Sequence, residues 1–147
     1  MNIKDLIEKS LRAIKYNFYK DLTVLDQIKV NKILGDNATQ LFWRMRLEDR
    51  SHSLEVMNRM EAITKENRLL TLALLHDIGK VQSDIGWLGR ILADLGINKS
   101  FSANRYKNHE QYGYNILQKY IDSKAIVKDY KTSILDERHE YLNRCDY

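Results

Sequence analysis

Not one proline occurs in the 147 residues of this chain, and glycine occurs only six times. Proline removes a backbone donor and clashes with the preceding turn, so a chain without it can run long helices undisturbed. A β-rich fold of this length needs more residues suited to tight turns than are present here. Apolar side chains also recur at a three-to-four-residue spacing along most of the sequence, the signature of amphipathic helices. The expected class is all-α, a single-domain bundle of about six to eight helices.

Residues 2–19 carry Ile3, Leu6, Ile7, Leu11, Ile14 and Phe18 as one helical stripe. Asp21-Leu-Thr opens a second helix through Leu25, Ile28, Val30 and Ile33, which Gly35 ends. A longer pattern over 38–63 uses Leu41, Phe42, Met45, Val56, Met57 and Met60, with a break expected near Glu48–Ser51. The apolar block Leu69 to Leu75 leads into His76-Asp77-Ile78-Gly79-Lys80. A short helix follows around Trp87, Leu88, Ile91 and Leu92. Residues 98–107 lack periodicity and are expected to be the longest loop. Helices over about 109–120, 123–131 and 135–146 complete the chain.

Composition excludes several function classes. With 44% hydrophobic and 30% charged residues and no low-complexity tract, the chain is not a disordered one. No apolar run approaches the ~20 residues that span a bilayer. The first residues combine acids with no apolar core segment, unlike a secretory signal. Cys145 is the one cysteine and forms no internal disulfide, so a cytoplasmic setting is expected, without membrane association. A net charge of +4 favours phosphate-bearing ligands, but the bases are interspersed with acids, which argues against nucleic-acid binding.

Four histidines and the aspartates of the chain would produce about a third of one His-Asp pair by chance, so His76-Asp77 alone means little. Its surroundings mean more. The pair stands where a wholly apolar helix leaves the core. Gly79 permits a close backbone approach. Lys80 brings a cation one turn beyond the carboxylate.

The string LALLHDIGK is similar to the signature of the HD superfamily of metal-dependent phosphohydrolases, in its HDIG variety. Upstream, DRSHSLEV resembles the first motif of that family; downstream, NHEQYGYNIL resembles its third-histidine segment and EYLNRCD its closing motif. The resemblance covers residues from about 45 to 147. It implies an HD-type helical bundle over 41–147, with residues 1–40 as an N-terminal helical extension packing on it or, in a homodimer, against a second copy. It assigns His52, His76, Asp77 and Asp146 to one divalent metal ion (Mn, Fe, Co, Ni, Zn or Mg), a mixed imidazole and carboxylate set that suits those ions. It implies cleavage of a phosphomonoester or nucleotide through a metal-activated water. In that reaction Asp77 would also orient the water and Lys80 would hold the substrate phosphate. His109 and Arg50 are further candidates for substrate or a second metal. Two-metal members carry a His-His pair where this chain reads IVKDYKTS, so the resemblance implies a single metal. The Gly-Tyr-Pro motif of cyclic-dinucleotide hydrolases is absent. The alternative reading is a degenerate HD domain that binds a nucleotide or metal in a regulatory role without catalysis. A helical nucleic-acid binder using the basic face Lys9, Arg12, Lys15 and Lys20 would rest on charge alone.

Overall fold

A helix that is apolar on every side must be surrounded by other elements, and the segment Leu69 to Leu75 meets that demand at the centre of a helical bundle. The computed structural model describes residues 21–82 and 87–147, with residues 4, 7, 8 and 11 ahead of them. Among the described residues every regular element is helical. In chain order they are α1 (Val24–Leu34), α2 (Asp36–Trp43), α3 (Leu47–Glu61), α4 (Asn67–Leu75), a 3-10 turn (Ile78–Gln82), α5 (Trp87–Asp94), α6 (Phe101–Lys107), α7 (His109–Tyr120), α8 (Lys124–Tyr130), a π-helical turn (Lys131–Asp136) and α9 (Glu140–Cys145). None of them is long and apolar enough to cross a membrane.

Within α4, Ala73, Leu74 and Leu75 are fully enclosed, and Leu69, Leu70, Thr71 and Leu72 are buried beside them. Each large apolar side chain removed from water contributes about 1.5–3 kcal/mol, so this helix anchors the core. Phe42, Met57, Met60, Leu117, Tyr130, Ile134 and Leu142 close around it from α2, α3, α7, α8, the π-helical turn and α9. Val30 and Leu34 of α1 join the same core.

The all-α class stands, and several boundaries move for local reasons. At α1, Thr23 Oγ1 accepts a hydrogen bond from the Asp26 amide while the Asp26 carboxylate accepts from the Thr23 amide, a reciprocal cap. Gly35, at φ 71°, ends the helix where a side chain would be strained. Leu25 and Ile28, expected on the apolar face of that helix, are instead exposed. The break expected near Glu48–Ser51 falls earlier, at Arg44–Arg46. Arg46 is extended there, and Arg50 Nη1 donates to the carbonyls of Trp43 and Met45 at 3.0 Å each.

Residues 98–107 are a loop only over 98–100, and the rest form α6. Ser100 caps α6 by accepting from the Ala103 amide, and Ala103 and Tyr106 pack on Ala93 of α5. Two residues a helical turn apart suffice to bury a seven-residue helix, but they are too few to register as a periodic pattern. The last expected helix, 135–146, is interrupted at an extended Glu137, and His139 starts α9 by accepting from the Tyr141 amide at Nδ1. These changes raise the number of α-helices among the described residues to nine. The stripe over 2–19 lies, but for Ile7 and Leu11, outside the described residues, as do Lys9, Arg12, Lys15 and Lys20. So do the side chains of Trp87, Leu88 and Ile91, although the helix they were expected to build is present.

Candidate metal centre

The end of α4 delivers His76 and Asp77 into the core at 2% and 3% exposure. The 3-10 turn that follows lies so close to α7 that a Cβ on Gly79 would stand 1.6 Å from the His109 carbonyl oxygen and 2.6 Å from the Gly113 amide nitrogen. Gly113 in turn makes room for the Tyr130 hydroxyl, which donates to the His76 carbonyl at 3.1 Å. The backbone of the His-Asp pair is thereby held from α7 and α8 together.

Three ligand-bearing side chains converge on this point. His52 comes from the middle of α3, His76 from the end of α4, and Asp146 from the residue that ends α9. One ligand atom from each lies within 4.8 Å of the others. His52 Nε2 is 2.8 Å from Asp146 Oδ1, and His76 Nε2 is 3.7 Å from the same oxygen. The two imidazoles approach edge to face at 5.5 Å.

The bonding of His76 shows what the cluster suits. Its Nδ1–H donates to the Ala73 carbonyl at 2.7 Å, a partner that can only accept. In the neutral ring Nε2 therefore carries a lone pair, and it is buried with no hydrogen-bond partner. Burial pushes the His76 pKa below its usual value, against the neighbouring charges of Asp77 and Asp146, which favours that neutral ring. An unpartnered buried nitrogen costs about 1–3 kcal/mol, and a cation beside two carboxylates is the group that would relieve it. Imidazole held through Nδ1 by a backbone carbonyl is the arrangement that presents Nε2 to a metal. The residues fit a divalent cation.

Asp77 adjoins this group and lies as close to His76 Nε2 as Asp146 does. Its Oδ2 is 3.5 Å from His76 Nε2 and 2.5 Å from Lys80 Nζ, and its Oδ1 is 3.2 Å from His109 Nε2. Burial raises the Asp77 pKa, but Lys80, His76 and His109 together hold it well below the usual carboxylate range. Burial likewise depresses the Lys80 pKa, and Asp77 and Asp49 more than restore it. For Asp146, burial is outweighed by the hydrogen bond from His52 and the charge of His76, and its pKa falls. Both carboxylates are thus ionised across the ordinary pH range.

Of the residues singled out from sequence, the structure gathers His52, His76, Asp77, Lys80, His109 and Asp146. It does not bring Arg50 to them, since that guanidinium is spent on the α2–α3 corner and on Asp21. Four neighbours were not singled out from the sequence. Arg138 donates to Asp146 and, at 3.0 Å, to Glu110, fixing the outer oxygen of the Asp146 carboxylate. Arg90 grips Asp49 with two bonds of 2.6 and 2.8 Å one turn ahead of His52. Only the spacing of Asp49 from His52, three residues on one helix, could have drawn attention to it.

Compared with known proteins, residues 50–143 match the family model described as HD domain. No curated protein and no solved structure matches the chain.

Proposed function

This chain belongs to the HD domain family, and from that premise we propose that it is a metal-dependent phosphohydrolase acting on a phosphomonoester or a nucleotide. The observation that carries the reading is the convergence of His52, His76 and Asp146 around a buried, unpartnered His76 Nε2. One divalent ion held there would polarise a phosphoryl oxygen and lower the pKa of a water.

The chain supplies the rest. Asp77 remains ionised and accepts hydrogen bonds, so it orients the attacking water beside His76. Lys80 keeps its charge in a site where its side chain is only 15% exposed, and it meets a phosphate oxygen there. A cation in a water-poor site stabilises developing negative charge far better than one at the surface. His109 donates Nδ1–H to the Tyr106 carbonyl at 2.9 Å, which turns its Nε2 toward Asp77 Oδ1 at 3.2 Å. Ahead of the family match, α1 packs on the HD domain through Val30 and Leu34.

Elemental analysis by ICP-MS of protein purified without chelator or metal-affinity resin tests the reading, with His76→Ala alongside. The expected result is an equimolar transition metal in the wild type, its loss in the variant, and hydrolysis of a phosphomonoester panel that depends on that ion. Metal binding without hydrolysis over a broad nucleotide and phosphomonoester panel would establish the regulatory, non-catalytic alternative. Neither metal nor metal-stimulated hydrolysis, with magnesium also supplied, would overturn both.

A further inference from the structure

Lys80 and Arg90 are like charges in the same enclosed region, with side chains 15% and 12% exposed. Each has a private carboxylate: Asp77 for Lys80 and Asp49 for Arg90. Both also face one aromatic ring. The centroid of Tyr106 lies 5.9 Å from Lys80 Nζ and 5.4 Å from the Arg90 guanidinium carbon, and Tyr106 itself is buried. A desolvated cation within about 6 Å of an aromatic face is attracted by the electron density of the ring.

The same residue also reaches His109. Its carbonyl accepts Nδ1–H of His109 at 2.9 Å, and its ring stacks on the imidazole at 6.2 Å between centroids and 21° between planes. The Tyr106 hydroxyl points away to Asp94 at 3.3 Å. Repulsion between Lys80 and Arg90 tends to drive the flexible lysine outward, and the electron-rich ring is what both cations share.

We propose that Tyr106 is a positioning residue whose ring, through its electron density rather than its bulk or hydroxyl, keeps Lys80 beside Asp77 and so maintains the phosphate-binding edge of the site. The inference rests on the phosphohydrolase reading for what Lys80 binds. Tyr106 touches no reacting atom in this account.

A fluorination series separates this role from simple packing, because fluorine drains the ring of electron density while changing its volume little. The probe is inorganic phosphate, titrated calorimetrically into Mn2+-loaded protein. Tyr106→Phe is expected to bind phosphate within about twofold of wild type, since the ring is retained. Mono-, di- and trifluorophenylalanine at position 106 are expected to weaken phosphate binding stepwise, by about two- to thirtyfold at the end of the series. Mn2+ affinity and melting temperature should stay level across it. In a Lys80→Met background the dependence on fluorination should vanish, as a pairwise coupling requires. A flat series in a protein that binds phosphate overturns this inference and leaves the function standing; so does a dependence that survives Lys80→Met, which would place the effect on Arg90. A wild-type protein that binds neither Mn2+ nor phosphate overturns the proposed function and this inference with it.

Discussion

Replacing Gly79 with alanine adds one methyl group where two backbone segments nearly touch. The new Cβ would lie 1.6 Å from the His109 carbonyl oxygen, 2.6 Å from the His109 carbonyl carbon and 2.6 Å from the Gly113 amide nitrogen. All three are backbone atoms, so no rotamer change relieves the clash. To restore ordinary contact near 3.4 Å, the 3-10 turn and the start of α7 must part by nearly 2 Å. That displacement removes His109 from Asp77, now 3.2 Å apart, and loosens the packing of α7 on the core through its own Ile116 and Leu117. Overpacking of a well-filled interior costs about 1–3 kcal/mol, and a backbone clash of this depth belongs at the top of that range or above. For a chain of this size about 3 kcal/mol corresponds to a fall of roughly 6–12 °C in Tm. Gly96→Ala is the matched control: it sits at φ 73° with nothing within 4 Å, so it tests conformational strain without a clash and should cost only about 1–2 kcal/mol. Both variants can be followed by circular dichroism melting at one pH. If Gly79→Ala melts no lower than Gly96→Ala, the close approach of the turn to α7 is not a feature of the folded protein.

Three further outcomes follow from other contacts. Arg50→Ala should lower stability by about 1–3 kcal/mol through the Trp43 and Met45 carbonyls it leaves unpaired, with metal content by ICP-MS unchanged; loss of metal would return Arg50 to the site. Asp49→Ala leaves a largely buried Arg90 without its partner and should cost about 3–5 kcal/mol in urea denaturation, more than Arg90→Met with Asp49→Leu combined, because an unpaired buried charge is worse than none. The third concerns pH. His76 has its pKa lowered by burial, so below its ordinary value of 6.5 the unfolded chain binds a proton that the folded chain resists. Metal-free protein should therefore lose stability as pH falls through that value, by at most about 1.4 kcal/mol per pH unit. The lowered carboxylates of Asp77 and Asp146 keep their contribution until the pH drops below their ordinary value of 3.8, so their loss begins at a lower pH than that of His76. His76→Gln should flatten the upper window, and an unchanged slope would mean that His76 is not held neutral by burial.

The sequence by itself determined the helical class, the central helix and the membership of His52, His76 and Asp146 in one site. Those features are local or repetitive. An absence of proline acts on every turn of the chain, a run of six apolar residues broken only by Thr71 demands burial, and a motif carries its spacing with it. What the tertiary structure decided was the environment of each group. Asp77 is drawn toward Lys80 and His109, Arg50 is committed to a helix corner, and α6 forms because Ser100 caps it and two of its residues find a cover in α5. Arg90 lies 41 residues from Asp49, and Arg138 lies 28 from Glu110. Ion pairs between such distant positions leave no periodic trace, since only the folded chain brings the charges within reach of each other and takes away the water that would otherwise screen them.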